Sequence, residues 1–411
     1  MKIIAIISRF LLGVVFIFSG FVKAVDPMGS TYKFVDYFNA FGIPSLELLA
    51  FPLAILLSTA EFVIGIALFV GLRMRITSWA ATLFMVFFTI LTFFLAIFNP
   101  VTDCGCFGDA IILTNWRTFF KNLIFLIPTA VIFFYREKYN AIFCTKAEWL
   151  FVGVFSLFAI IISIYGYRHL PILDFRPYNV GTYIPEKMEI PEGAPQDEYE
   201  SIFYYEKNGE VKEFNKDNYP WQDTTWKFVD AEHNLIKQGY IPPIHDFNIE
   251  NETEGDITDV VLYSDGYYLI IVAPTLEKSN INGFMKMNEI ASFVQQYNIP
   301  TICITSTVND ELLNFKQKIN PVFEFYNTDE ITLKTIIRSN PGLVLLYKGT
   351  IIDKWHFNDL PQLDEINENF IGKSISKYKH NQNTFLIFSL FFLSILILSI
   401  YGIIQNYLKR L

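Results

Sequence analysis

The sequence predicts a polytopic α-helical membrane protein of six spans that carries a separate α/β domain outside the bilayer. Three observations carry the prediction. The 411-residue chain is 52% hydrophobic, 17% aromatic and only 18% charged, where a soluble domain is about a quarter charged. Apolar runs long enough to cross a hydrocarbon core of ~30 Å recur at residues 3–22, 47–71, 76–98, 115–135, 148–167 and 384–405. Between the fifth and sixth runs, residues 168–383 turn polar and acidic over a length sufficient for a domain of its own.

Taken in order, the spans set an orientation. The first begins at residue 3 without a small-residue cleavage site, so it reads as a retained helix and not a removed signal. Basic residues near helix ends stay cytoplasmic. Lys2, then Arg73 and Arg75, then Arg136, Lys138 and Lys146, then Lys409 and Arg410 mark the start, the second and fourth gaps, and the end. Six crossings with both termini inside satisfy all four places. This puts residues 98–114, which hold no Lys or Arg, and the long gap 168–383 on the outer side. The expected location is a bacterial inner membrane with the long gap periplasmic; Lys23 and Lys33, in the first outer gap, run against it. The lipid bilayer is then the first partner, and a net charge of −9 argues against nucleic acid.

In the long gap, "YYEKNGEVKEF" (204–214) places Asn-Gly between strand-like residues, the signature of a β-hairpin. The segment 226–249 is too broken by Pro and Gly for a long helix and is expected to wrap the domain that follows. From residue 256, "DVVLY" (259–263), "YYLIIVA" (267–273), "TICIT" (301–305) and "VFEFY" (322–326) read as strands. Helices are expected at 281–298, 309–318 and 330–338, and a closing hairpin at 339–357 turns on Lys348-Gly349. The domain plan is a membrane part over 1–140, a fifth span in 141–167, a β-rich connection over 168–255, the α/β domain over 256–383, and a last span with its tail over 384–411.

This order of strands and helices resembles the thioredoxin fold, and Pro341 stands where that family keeps a cis proline, which makes it a candidate cis proline. A redox thioredoxin carries Cys-x-x-Cys after its central strand; here that stretch reads "VAPTLEKSN" (272–280), so the domain has no dithiol of its own. Its Cys303 alternates with apolar neighbours and reads as an inert core residue. In the membrane part, "FSGFVKAVDPMG" (18–29), "TAEFVIGIALFVGLRMR" (59–75) and "DCGCFGDAI" followed by "NWRTFFKN" (103–122) resemble the DoxX and MauE families of small four-helix bacterial membrane proteins. The whole chain looks like the long DoxX-family members of Bacteroidota, with a four-helix bundle plus two further spans. The resemblance implies association with thiosulfate:quinone oxidoreductase complexes, or with disulfide formation and maturation of methylamine dehydrogenase.

The candidate site is the corner between spans three and four. Cys104 and Cys106, separated by Gly105, are two of only four cysteines and form a candidate redox pair. A bridge across one residue is strained and therefore easily reduced, and Gly105 is best able to take the dihedrals it needs. Asp103 and Asp109 disfavour a thiolate, whereas Arg117 and Lys121, early in the next helix, supply a positive field. Glu61 lies inside the second span and Lys121 inside the fourth, where an ionisable group is costly unless paired. Glu61 and Lys121 either pair with each other as internal packing or flank a water or a quinone carbonyl. Lys23, Asp26 and Lys33 complete a polar rim on the same side.

No phosphate loop or metal-ligand spacing appears, and His245 and His356 show no catalytic company. No cofactor motif is present, and a membrane quinone is the one the redox reading implies. Two functions of different class follow. One is a thiol oxidoreductase component that takes electrons from a periplasmic thiol carrier, with the cysteine-free domain as the docking module. The other is a non-catalytic anchor or assembly subunit that binds a periplasmic or membrane protein partner through that domain, with Cys104 and Cys106 as a mere structural turn.

Overall fold

The structure, a computed structural model, describes residues 2–139, 143–237, 239–363 and 366; the expected span at 384–405 lies outside them. Five helices among the described residues are long and apolar enough to cross a membrane. They are α1 (Lys2–Val25), α3 (Ala50–Val70, extended to Pro44 by a 3-10 turn), α4 (Met74–Phe98), α5 (Asn115–Tyr135) and α6 (Thr145–Arg168).

A shorter helix, α2 (Pro27–Ala40), follows α1 directly. Asp26 caps it by accepting from the Gly29 amide, with Pro27 at the first helical position. The gap between the first two long apolar helices is therefore mostly helix, and Lys23 lies in the last turn of α1, buried, not in a loop.

The buried face of α1 runs through Ala5, Arg9, Leu12, Phe16, Ser19 and Lys23, the spacing of one helical stripe. That stripe packs along α3, while α4 packs along α5. Gly20 permits the closest approach, because a Cβ there would stand 2.3 Å from the Phe62 nitrogen. Membrane helices associate by such close backbone packing, since lipid provides no hydrophobic drive between them.

Residues 183–247 form a compact unit of their own. It holds α7 (Ile184–Met188) and a three-stranded antiparallel sheet ordered β2-β1-β3, from β1 (Glu198–Lys207), β2 (Glu210–Asn215) and β3 (Lys227–Lys237). The hairpin turns at Asn208 and Gly209, both at positive φ. The stretch expected to wrap the next domain instead gives β3, paired with β1 from Glu198↔Lys237 to Glu206↔Lys227. Phe228 against Tyr205, and Trp226 against Phe214, supply aromatic contacts across this sheet.

The α/β domain begins with the short β4 (Glu250–Asn251) and β5 (Gly255–Asp256). "DVVLY", expected as a strand, is a helix, α8 (Thr258–Leu262). Its buried residues fall at Thr258, Val261 and Leu262, a helical spacing that a five-residue apolar run does not distinguish from a strand. Next come β6 (Tyr267–Ala273), α9 (Ile281–Val294), β7 (Thr301–Thr305), α10 (Asn309–Ile319), β8 (Glu324–Asn327), α11 (Glu330–Ile336), β9 (Gly342–Tyr347) and β10 (Thr350–His356).

The sheet order is β10-β9-β6-β7-β8-β4-β5, with β6, β7 and β8 parallel and the β9–β10 hairpin antiparallel to β6. Cys303 sits between Ile271 and Phe325 in register and is fully buried with Phe284, Met287 and Leu343. Burying each such large side chain contributes about 1.5–3 kcal/mol. The Asn340–Pro341 peptide is cis.

Candidate thiol site at the bundle end

The loop between α4 and α5 is held at both ends before it places a thiol. Asp103 bridges to Thr114, Phe107 bridges to Ile111, and a 3-10 turn covers Gly108–Ala110. Gly105 sits at φ +66, a left-handed conformation that favours glycine, so the chain reverses between the two cysteines and brings their side chains together. The Sγ atoms of Cys104 and Cys106 lie 3.1 Å apart as free thiols.

Each cysteine carbonyl is fixed from the bundle. Tyr37 of α2 donates its hydroxyl to the Cys104 carbonyl at 2.7 Å, and Ser19 of α1 lies 2.7 Å from the Cys106 carbonyl. Beneath them runs a buried ion pair: Lys23 Nζ donates to both Glu61 oxygens at 2.8 and 2.7 Å and to Ser19 Oγ at 3.0 Å. Ser19 Oγ is also 2.7 Å from Glu61 Oε2. Ser19 Oγ has one proton for two acceptors at 2.7 Å, so it donates to Glu61 Oε2 or to the Cys106 carbonyl, one at a time, and stands between the carboxylate and the cysteine loop.

The two aspartates that stood against a thiolate are both neutralised. Lys33 pairs with Asp103, whose other oxygen accepts from the Gly105 amide at 2.9 Å. Asp109 pairs with Arg338 at 2.6 Å. Burial raises the Asp109 carboxyl above its usual range, with Arg338 opposing.

The thiols themselves diverge. A hydrogen bond from Cys104 lowers the Cys106 thiol to about 6 against the effect of burial, with Lys121 and Lys23 adding to it. Cys104 moves upward by that same bond and by burial. Such a split marks one member of the pair as the thiolate at neutral pH.

Of the candidates read from the sequence, the fold brings Cys104, Cys106, Gly105, Lys23, Lys33, Glu61 and Lys121 around one cavity of about 560 Å³, and leaves Arg117 and Asp26 aside. Glu61 pairs with Lys23 and not with Lys121, because α1, pressed against α3 at Gly20, is the nearer helix. Lys121 instead places its ammonium 4.2 Å from the Phe107 ring centre. Arg117 is exposed on the first turn of α5 and does not line the cavity. Asp26 faces the α/β domain, where it accepts two hydrogen bonds from Arg338.

Ser19, Tyr37 and Arg338 escaped the sequence reading. Ser19 lies four residues before Lys23, and Tyr37 four after Lys33, so each shares a helical face with a residue already singled out. Arg338 carries no such signal. Apart from Ser30 and Asn122 the remainder of the cavity is apolar, with Phe34, Phe84, Phe87, Phe88 and Phe125 among its walls.

Fold and site together define a helical membrane protein with a thiol pair at one end of an apolar cavity and a separate α/β domain. Residues 1–135 match the family described as methylamine utilisation protein MauE, and residues 199–238 match the domain of unknown function DUF8463. No curated protein and no solved structure matches the chain.

Proposed function

We propose that the chain is the membrane component of a thiol-oxidising system, with Cys104 and Cys106 as a redox pair between a partner dithiol and a membrane quinone. The carrying observation is the convergence of both thiols, the Lys23–Glu61 pair and Lys121 on one cavity of about 560 Å³ with phenylalanine walls. That volume falls among small-molecule sites, which are mostly apolar with a few placed polar groups. It suits an isoprenoid quinone: the aromatic walls take the ring and tail, and Ser19, Lys23 and Lys121 are donors suited to a ring carbonyl. The match of residues 1–135 to MauE supports an accessory membrane role in a redox-linked system.

The residues act in two half-reactions. In the first, a partner thiolate attacks the Cys104–Cys106 disulfide, the partner's second thiol resolves the mixed disulfide, and Cys104 and Cys106 are left as thiols. In the second, the Sγ–Sγ bond re-forms with loss of two electrons and two protons. A quinone supplies the two-electron, two-proton acceptor for this step. Cys106, already the more acidic thiol, initiates it; both thiol protons go with the two electrons to the quinone, and Glu61, which lines the same cavity, is the carboxylate able to relay a proton there.

In this reading the α/β domain docks the partner. Its strand order is similar to a thioredoxin fold, and Thr275 to Asn280 stand where a dithiol would be. A cleft of about 990 Å³, lined by Thr275, Lys278, Asn280 and Asn340 on one side and Tyr32 and Glu47 on the other, offers the docking space. Both termini cytoplasmic, with the cysteines and the domain periplasmic in an inner membrane, completes the proposal. Lys23 no longer opposes that orientation, because it is a buried ion-pair member in α1.

The test is the redox state of Cys104 and Cys106 in intact cells, trapped with a mass-tagged maleimide with and without quinone depletion. A pair that is oxidised normally and reduced on depletion supports the relay. A pair whose state ignores quinone leaves the anchor reading, which the buried Cys303, the one thiol among the described residues of the α/β domain, favours.

A further inference from the structure

Arg338 belongs to the α/β domain, two residues after α11 and three before the cis proline, yet its guanidinium reaches the membrane bundle. Nε donates to Asp26 at 3.1 and 2.9 Å, Nη2 to Asp109 at 2.6 Å, and Nη1 to the Lys334 carbonyl at 2.6 Å. The Tyr32 ring lies 5.3 Å from its carbon. The side chain is 5% exposed. One buried cation thus joins the α1–α2 corner, the cysteine loop three residues past Cys106, and the segment leading into Pro341. Arginine alone holds two carboxylates and a carbonyl in one planar fork.

We infer that Arg338 is a positioning residue through which the α/β domain completes the thiol site, by neutralising Asp109 and holding the Phe107–Ala110 turn that follows Cys106. Removing it leaves the carboxylates of Asp26 and Asp109 without their cation beside the cysteine loop. A nearby negative charge disfavours a thiolate. The other charged and titratable groups facing Cys106 stay in place: Cys104 on the same loop, Lys23 from α1, Tyr37 from α2, Glu61 from α3 and Lys121 from α5. The change is therefore attributable to the lost pairing. The interest of this coupling rests on the redox reading above, but its test does not.

The test is the pH profile of Cys106 alkylation by iodoacetamide, read by peptide mass spectrometry on the full, reduced chain carrying Cys104→Ser, whose hydroxyl keeps a donor beside Cys106. The expected midpoint lies below that of an ordinary cysteine thiol, because Lys121 and Lys23 stay beside Cys106. With Arg338→Ala added, the midpoint rises and the rate at pH 6 falls about three- to tenfold. Adding Asp109→Asn to Arg338→Ala returns the rate towards its starting value, which a merely structural role does not predict. Arg338→Lys, a cation unable to span both carboxylates, gives an intermediate shift and decides the matter should the alanine variant not accumulate. An unchanged profile in Arg338→Lys and Arg338→Ala, or a failure of Asp109→Asn to restore it, overturns the inference. Because alkylation is read without quinone, a quinone-insensitive thiol pair would sink the relay and leave this result standing.

Discussion

Two buried ionic centres in this molecule look alike by burial and differ in what surrounds them. In the bundle, the side chains of Lys23 and Glu61 are 6% and 5% exposed. In the α/β domain, Lys354 of β10 is 3% exposed and pairs with Asp174 at 2.5 Å, while donating to the Tyr178 and Ile336 carbonyls at 2.9 Å each. Arg176 Nε adds a second bond to Asp174 at 2.7 Å. The Asp174 centre is closed: its remaining bonds go to backbone from the post-α6 segment, α11 and its neighbours, which strap that segment to the sheet. The Lys23–Glu61 pair borders the cavity and is linked through Ser19 to the Cys106 carbonyl. Burial alone does not separate a structural ion pair from a chemical one; access to a cavity and to a reactive group does.

The comparison is sharpest where each centre is broken. Asp174→Asn strands two buried cations, and the loss of one partner of such a cluster costs about 3–5 kcal/mol. Hydrogen exchange of the β9 and β10 amides is expected to show that loss, with the quinone response of the cysteines retained in the folded fraction; loss of that response as well would erase the distinction.

In the bundle the pair is better replaced as a unit. Lys23→Met with Glu61→Leu removes both charges together, which in buried pairs is often neutral for stability. The variant is expected to accumulate normally while quinone-linked oxidation of Cys104 and Cys106 slows about 10²-fold, the lower range for losing a proton-transfer group. Normal oxidation would reduce the pair to packing.

Gly20→Ala acts on the same pair through the backbone. The added Cβ meets the Phe62 nitrogen at 2.3 Å and must push α1 from α3. A cost of about 1–3 kcal/mol is expected in detergent-resistance assays, together with a slower thiol oxidation; tolerance of alanine would show that the close approach is not needed.

The smallest effect belongs to Lys121→Met. Cys106, held near 6 by the Cys104 hydrogen bond with Lys121 contributing, is a thiol below that pH and a thiolate above it. Its alkylation rate therefore rises through pH 6, and the variant is expected to shift the profile upward, lowering the rate at pH 6 about two- to threefold. No shift would remove Lys121 from the site and leave it to its ring contact with Phe107.

Legibility followed the range of the interaction. Five apolar runs gave five spans, and the alternation from residue 267 onward gave the parallel strands β6, β7 and β8, because periodicity and length are local properties. "DVVLY" failed for the same reason that short runs do: five residues carry too few turns to choose between periods of 2 and 3.6. α2 lies outside the apolar runs, so hydropathy does not show it, although Asp26-Pro27 is a helix start. The polar set around the cysteines was visible as a set, since ionisable residues in apolar runs stand out.

Their partners were not visible. The sequence by itself determined the solvent of each segment, the isolation of Cys104-Gly105-Cys106 between two spans, and the absence of a dithiol from residues 272–280. Only the tertiary structure decided that Glu61 answers Lys23, that Lys33 and Arg338 neutralise the two aspartates flanking the cysteines, and that Arg338 crosses 312 and 229 positions of chain to reach Asp26 and Asp109. Hydropathy and spacing act over a turn or two of chain, whereas an ion pair is selected by whichever opposite charge the packed backbones bring within about 4 Å.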